Sequence, residues 1–218
     1  MARRYAEVSQ ASRGDLTPLA RHVIGNGGGE RKAVGPSDAL AAARHKFLRH
    51  ERVDMNELAR ELGVGRATLY RWVGSRDELL GEVLWSLSVR GLAMAKEKAK
   101  GTGVEWFLSI YAAFGDVIVE STAVRHFAET EPECALRVMT TQVSPQQRRI
   151  IGYYRDLLIE ARDTKGLNLS LDPETLAFVL VRVAESFLWT DLITGEEPDL
   201  TKSYEVARII LTGQESAQ

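Results

Sequence analysis

The chain has 218 residues, 44% of them hydrophobic and 27% charged, with a formal net charge of −2. This length suffices for one sizeable core plus a small accessory domain. No apolar run is long enough to predict a membrane span, and the N-terminal MARRYAEVSQ lacks the apolar segment of a secretory signal. The single cysteine, Cys134, excludes an intrachain disulfide and favours a reducing compartment, so we expect a cytoplasmic protein. The four histidines lack paired ligand spacing, and we predict neither a metal site nor a cofactor.

The charge is unevenly distributed along the chain. Residues 1–80 contain 14 Lys/Arg against 10 Asp/Glu, whereas residues 81–218 contain 14 against 20. A basic front suits a chain whose front meets a polyanion, although an ordinary solvated surface gives the same imbalance about as often.

In chain order, a glycine-rich segment comes first and helical patterns follow. Residues 1–36 have few large apolar side chains and predict a disordered basic arm, in which residues 18–24 are compatible with a short helix. From Asp38 onward apolar residues recur at helical spacing and long strand-like alternation is absent, so we predict an all-α fold. About nine helices are expected, the seventh broken near Ser144. They cover residues 38–51, 55–62, 66–73, 76–99, 104–120, 122–128, 132–163, 173–194 and 200–212.

The run from residue 54 to residue 80 has the local signals of a helix-turn-helix. Capping pairs of the form D/S-x-x-E open a short helix and a later long one, and glycines end the short helix and precede the next. That next helix, residues 66–73, places Leu69 and Val73 on one buried side. In a helix-turn-helix the second helix enters the major groove of DNA with its N-terminal residues at base edges. The capping and turn residues are Asp54 with Glu57, Ser75 with Glu78, Gly63 and Gly65.

These residues resemble the DNA-binding domain of the TetR family of bacterial transcriptional repressors. The matching elements are Leu58-Ala59, Gly63-Val64, Thr68-Leu69-Tyr70, Ser75-Arg76-Asp77 and Leu79-Leu80, within residues 38–85. The resemblance implies a homodimer that binds double-stranded operator DNA. It also implies a C-terminal helical domain that binds a small-molecule effector. The corresponding organisation is an arm (1–36), a helix-turn-helix domain (37–84) and an effector-binding and dimerisation domain (85–218).

The resemblance also suggests which side chains meet DNA. Arg66, Ala67 and Thr68 are the candidates for reading bases, Arg66 by bidentate pairing with guanine. Phosphate contacts are expected from Tyr70 and Arg76, and Trp72 stands where the family often has a phosphate-contacting His or Tyr. Asn56 at the start of the preceding helix is a further candidate, whereas Arg71 is expected to be a solvated charge. The net charge of +3 on residues 1–36 favours an additional contact between the arm and DNA.

Aromatic and charged residues in the rear domain suggest an effector pocket. Such pockets are lined by apolar groups with a few polar ones, although ordinary core packing explains any single aromatic better. Arg182 and Glu185 lie in a helix that is apolar almost all round, so they must be matched. An intrachain pair, a pair across a dimer interface and a polar anchor for a ligand are the open alternatives, in that order. The pocket candidates are Trp106, Phe107, Tyr111, Phe114, Phe127, Tyr153, Tyr154, Arg182 and Glu185.

The run from Arg182 to Pro198 is similar to the C-terminal domains of QsdR-type members of the family. In the family the last two long helices form a four-helix bundle with those of the partner. The expected interface residues are Leu176, Leu180, Phe187, Leu188, Tyr204, Ile209 and Ile210. We therefore expect a dimeric repressor released from a near-palindromic operator by a small, largely apolar effector. The alternatives are a helix-turn-helix protein without an effector and a protein-binding module; the chain lacks a nucleophile–base pair or a phosphate-binding loop, and an enzyme is not expected.

Overall fold

The computed structural model describes residues 34–213, so the predicted arm lies outside the described residues except for its last three positions. Within that range the regular structure is helical and contains no strand, which confirms the all-α prediction. The helices are α1 Pro36–Leu48, α2 Met55–Glu61, α3 Arg66–Val73, α4 Arg76–Glu97, α5 Gly103–Val119, α6 Thr122–Thr130, α7 Pro132–Thr140, α8 Gln146–Lys165, α9 Pro173–Leu188, α10 Thr190–Ile193 and α11 Leu200–Thr212.

The helix count exceeds the expected nine because two long predicted helices are interrupted. The break near Ser144 separates α7 from α8, as predicted. The predicted helix 173–194 also divides, because Trp189 adopts φ −111° and ψ 20°, which ends α9 and precedes the short α10.

The described residues form two compact units. The first takes in the chain up to Val89 together with His126–Arg149, and the second takes in Arg90–Arg125 and the chain from Ile150 onward. Helices α4, α6 and α8 each contribute residues to both units.

In the first unit, α1, α2 and α3 pack pairwise around apolar side chains. Lys46 of α1 is also buried there, with its Nζ 3.1 Å from Glu61 and 3.8 Å from Glu57 of α2. The hydrogen bond to Glu61 and the nearby carboxylates raise the pKa of Lys46. A buried lysine must be matched by opposite charge, and here the match ties α1 to α2. The core residues of these three helices are Ala39, Ala43, Phe47, Met55, Leu58, Ala59, Leu69 and Val73.

In the second unit, α11 packs against both α5 and α9. One buried hydroxyl links the three helices: that of Tyr111 on α5 donates to the carbonyl of Leu180 on α9 at 3.2 Å and shares a hydrogen bond with Ser203 Oγ on α11 at 2.8 Å. Ala177 and Ala207, about one helical turn from Leu180 and Ser203, are fully buried.

Candidate nucleic-acid interface

The start of α2 is fixed by a side-chain cap. Asp54 Oδ1 accepts hydrogen bonds from the backbone N–H groups of Asn56 and Glu57, both at 2.9 Å. These bonds, that from Glu57 first, hold the pKa of Asp54 below its ordinary value. The reciprocal bond of a full capping box would come from Glu57, whose carboxylate instead lies 3.8 Å from Lys46 Nζ. The cap therefore orients α2, while Glu57 joins the Lys46 charge cluster.

The turn between α2 and α3 requires a left-handed residue. Gly63 adopts φ 66°, where a side chain would be strained, and the Val64 N–H then bonds back to the Ala59 carbonyl at 3.0 Å. Gly65 precedes α3 in extended conformation without a side-chain cap. The next helix opens with the complete capping box expected from the sequence: the Ser75 N–H donates to Glu78 at 2.7 Å, and the Glu78 N–H donates to Ser75 Oγ at 3.2 Å.

Helix α3 buries one side and exposes the other. Leu69 is fully buried and Val73 nearly so, both against α1 and α2. At 3.6 residues per turn, Ala67 and Arg71 lie on the opposite side, and both are exposed. Arg66 is exposed at the N-terminal end. The side of α3 that carries Leu69 and Val73 is therefore fixed in the core, and the opposite side is accessible to a binding partner.

The side chains of the other residues predicted to contact DNA differ in how exposed they are. Asn56 at the start of α2 is exposed. Tyr70 is 42% exposed, so packing in the core leaves much of its side chain accessible. Thr68 and Trp72 are half-buried on the flank of α3. Arg76 differs from the others, because it is engaged within the chain.

The guanidinium of Arg76 joins three parts of the first unit. Its Nε donates to the Val53 carbonyl at 2.6 Å, its Nη2 donates to Glu131 at 2.7 Å, and its Nη1 lies 3.5 Å from Cys134 Sγ. Next to it, Arg137 donates to Asp77 at 2.7 Å, which lowers the pKa of Asp77. A phosphate contact by Arg76 would break this network, so the geometry favours a structural role for it.

Three other arginines on α2 and α3 are better placed for a polyanion. Arg60, Arg66 and Arg71 are all exposed, and within residues 34–213 none of them has a carboxylate within 4.0 Å. Exposed cations without an intrachain partner supply the sequence-independent attraction of a DNA-binding surface. The exposure of Arg71 agrees with the solvated charge expected from the sequence and also makes it available to a phosphate. Its position opposite Leu69 and Val73, which follows from helical periodicity, is the signal that could have singled it out.

The predicted pocket aromatics do not all come together. In the second unit the rings of Phe107, Tyr111 and Tyr154 lie within 5.7–6.4 Å of one another, and Tyr153 adjoins Tyr154. Burial raises the pKa of Tyr111 and of Tyr153 to about 12. Phe127 lies in the first unit.

The other pocket candidates have partners of their own. The Phe127 ring meets the edge of Phe47 at 5.5 Å, in the core of the first unit. Trp106 is buried on α5 with Lys165 Nζ 5.5 Å from its ring. Phe114 is also buried on α5. Arg182 pairs with Glu185 at 3.1 Å, which is the first of the three alternatives that the sequence left open.

The predicted dimer residues fall into two groups. Leu176, Leu180 and Leu188 are at most 5% exposed, because the chain's own helices cover them, so they have no surface to offer a partner. Phe187, Tyr204 and Ile210 are half-buried. Ile209 of α11 is 51% exposed. Phe178 of α9, which the sequence prediction did not include, is exposed to the same degree. It is one of the large apolar side chains that α9 and α11 leave uncovered.

Among the described residues no group of three or more His, Cys, Asp or Glu side chains is arranged to hold a metal ion. No single helix of that part is long and apolar enough to cross a membrane. Helices α5 and α6 meet that test only as a bent pair, by length and composition.

The chain is similar to one family model and to solved structures of known proteins. Residues 102–212 match the family model described as "Tetracyclin repressor-like, C-terminal domain". The chain is similar to the solved structure of the transcriptional repressor QsdR of R. erythropolis, from the TetR family, with 31% identity and a TM-score of 0.77 over 81% of this chain and 94% of that one. A second solved structure, the TetR family regulator PfmR from Thermus thermophilus, has 23% identity and a TM-score of 0.38 over 81% of this chain and 98% of that one. No curated protein matches the chain.

Proposed function

The chain belongs to the TetR family of DNA-binding transcriptional regulators, and from this premise we propose that it is a homodimeric repressor. In this proposal it binds a near-palindromic operator and is released by a small, largely apolar effector. As a regulator it is assigned no catalytic step.

The observation that carries the proposal is the presentation of α3. Leu69 and Val73 fix its rear face in the core, while Arg66, Ala67 and Arg71 remain exposed. A helix held in this way reads base edges without first having to be ordered, because its backbone is already fixed by packing. We assign base contacts to Arg66, Ala67 and Thr68.

Around these residues lie the candidates for phosphate contact. Tyr70, Trp72 and Asn56 flank the base-reading positions, and Arg71 supplies an exposed positive charge. Phosphate contacts position a protein on the duplex and supply most of the salt-dependent affinity.

Dimerisation through α9 and α11 would provide the second recognition helix. The exposed apolar side chains Phe178 and Ile209, with Phe187, Tyr204 and Ile210 beside them on the two helices, are the proposed contacts. A two-fold dimer presents its recognition helices one DNA turn apart, roughly 34–36 Å, and thus favours a palindromic site.

The aromatic cluster of Phe107, Tyr111, Tyr153 and Tyr154 is the proposed wall of the effector site. An effector releases DNA only if it binds more tightly to a dimer state with wrongly spaced recognition helices. Operator DNA must then weaken effector binding by the same factor. The close mutual packing of three of these rings also keeps a second candidate function open, namely a regulator that reads DNA without an effector.

The test is selection of binding sites from a random DNA library, followed by affinity measurement on the selected duplex. Arg66→Ala should lower affinity by about 1–3 kcal/mol and relax the preference at one base position, because it removes a bidentate contact to guanine. Arg162→Ala is the matched control, since Arg162 is a similarly exposed arginine near the end of α8, paired with Asp163. Failure to select any sequence, or equal loss in both variants, would contradict the proposal.

A further inference from the structure

Seven polar or aromatic residues lie on α4 and around the beginning of α8, where these two segments of the first unit are in contact. We call this set the polar crossing. Most of it is deeply buried: Trp85 is 0% exposed, Gln147 6% and Gln146 8%. Its members are Glu82, Trp85 and Ser88 on α4, Ser144 just before α8, and Gln146, Gln147 and Arg149 at the start of α8.

Much of the polar crossing is internally matched. Arg149 donates two hydrogen bonds to Glu82, at 2.9 and 3.0 Å, and its guanidinium lies 5.6 Å from the centre of the Trp85 ring. Gln146 Nε2 donates to Ser88 Oγ at 3.0 Å. The two charges neutralise each other, so the crossing as a whole carries no net charge.

Three polar atoms of the crossing are left over. Trp85 Nε1, Gln146 Oε1 and Gln147 Nε2 are buried and have no hydrogen-bond partner within residues 34–213. Gln146 uses its Nε2 for the hydrogen bond to Ser88, so Oε1 is the end of this amide that is left unmatched. Buried polar groups in folded proteins are nearly always paired, since burial removes their bonds to water. Three such atoms on side chains of one helix crossing therefore point to a missing partner.

The chemistry of the three atoms indicates what that partner is. The indole N–H and the Gln147 N–H require an acceptor such as a carbonyl oxygen, whereas Gln146 Oε1 requires a donor. A charged ligand would be desolvated there without a free counter-charge, because Glu82 and Arg149 already neutralise each other. A neutral group with one carbonyl and one N–H meets both demands.

We propose that the polar crossing is a binding site for a small neutral molecule carrying a secondary amide. Its carbonyl oxygen accepts from Trp85 or Gln147, and its N–H donates to Gln146. This site belongs to the first unit and is separate from the aromatic cluster of the second.

Entry of such a ligand must part the two helices. Each unmatched atom has less than 1 Å² of accessible surface. A Cβ added at Gly81 would lie 2.4 Å from Ser144 Cβ, so α4 and the residues before α8 are already in contact. Helix α4 begins at Arg76, directly after the recognition helix, so ligand entry would shift the support of α3. That consequence for DNA rests on the proposed function, whereas binding itself does not.

The experiment follows the indole N–H of Trp85 by ¹⁵N NMR in the full chain, with Trp85→Phe identifying the resonance. The probes are N-methylpentanamide and methyl pentanoate, which share length and shape and differ only in N–H against O. The amide should shift the Trp85 resonance saturably and bind about tenfold more tightly than the ester, because only the amide can donate to Gln146. Gln146→Met should abolish that preference.

A second measurement needs no ligand. Gln147→Met should raise the melting temperature, because it removes a buried donor that has no partner, while Gln142→Met, at an exposed glutamine of the same unit, should leave it unchanged. No saturable shift with the amide, equal affinity for amide and ester, or a lowered melting temperature for Gln147→Met would each overturn the proposal. The last result would mean that a water molecule already satisfies the donor. Operator binding is measured separately by band shift. If the amide does not bind but operator binding is intact, only this inference is refuted and the proposed function stands.

Discussion

Replacing one member of the Glu82–Arg149 pair should destabilise the chain far more than replacing both. The side chains are 1% and 4% exposed and joined by two hydrogen bonds, at 2.9 and 3.0 Å. Arg149→Met keeps most of the volume of the arginine stem but leaves the Glu82 carboxylate in the interior. Removing one partner of a buried pair in this way costs about 3–5 kcal/mol.

The double variant Glu82→Leu/Arg149→Met should recover most of that loss. Two apolar side chains of similar volume remove both charges, and such replacements are often neutral or stabilising by about 1–4 kcal/mol. The cycle of single and double variants therefore predicts strong coupling between the two positions. Exposed pairs behave differently: Lys96→Met breaks a pair whose side chains are 41% and 35% exposed, and should cost less than about 1 kcal/mol.

Urea unfolding followed by circular dichroism and tryptophan fluorescence measures these differences. All variants must be compared at one protomer concentration, because dimerisation makes the apparent stability depend on it. The reasoning fails if Arg149→Met costs no more than Lys96→Met, or if the double variant loses the sum of its two single losses.

Gly81→Ala should lower stability by about 1–3 kcal/mol through overpacking, since the new Cβ would meet Ser144 Cβ at 2.4 Å, and thermal melting should show rescue by Ser144→Gly; absence of rescue would contradict this contact. Alkaline pH should destabilise the second unit. The pKa of Tyr111 and of Tyr153 is raised to about 12 against about 10 in an unfolded chain, so the stabilisation is complete below pH 10 and declines as pH approaches 12. Tyr111→Phe should flatten that decline in urea titrations, and an unchanged slope would refute it. Arg71→Ala should weaken binding to every DNA sequence alike and reduce the salt dependence of the affinity by about one ion; sequence-selective loss would count against a phosphate contact.

The sequence predicts those parts of the fold that depend on near neighbours. Gly63 and the Ser75–Glu78 box act within a few residues, so their types alone place the turn and the start of α4. The Asp54 cap is equally local, but Glu57 turns to Lys46 instead of completing the box. A motif that spans four residues contains no information about a lysine eleven positions away in the sequence.

The candidate site was harder to predict where it depends on distant contacts. Arg76 meets Glu131 across 55 positions of sequence, and no local pattern indicates that pairing. Phe127 has the aromatic side chain expected of a pocket residue in the predicted effector-binding domain. Its ring instead packs against Phe47, which belongs to the predicted helix-turn-helix domain. Helical periodicity identifies which side of a helix is buried, but it does not identify which helix lies against it.

Three ionic contacts hold α4 to the segment that follows α6, and all three lie within its first seven residues. Arg76 meets Glu131, Asp77 meets Arg137, and Glu82 meets Arg149. The Arg76 guanidinium also donates a hydrogen bond to the Val53 carbonyl, next to the capped start of α2. The same group therefore contacts both the helix-turn-helix and Glu131, directly before α7. Apolar contacts tolerate sliding, whereas a hydrogen-bonded ion pair is directional and fits one register. We infer that these pairs fix α4 in one position against that segment. A movement of the segment would thus be transmitted to the base of the recognition helix and would not be absorbed by the packing between them.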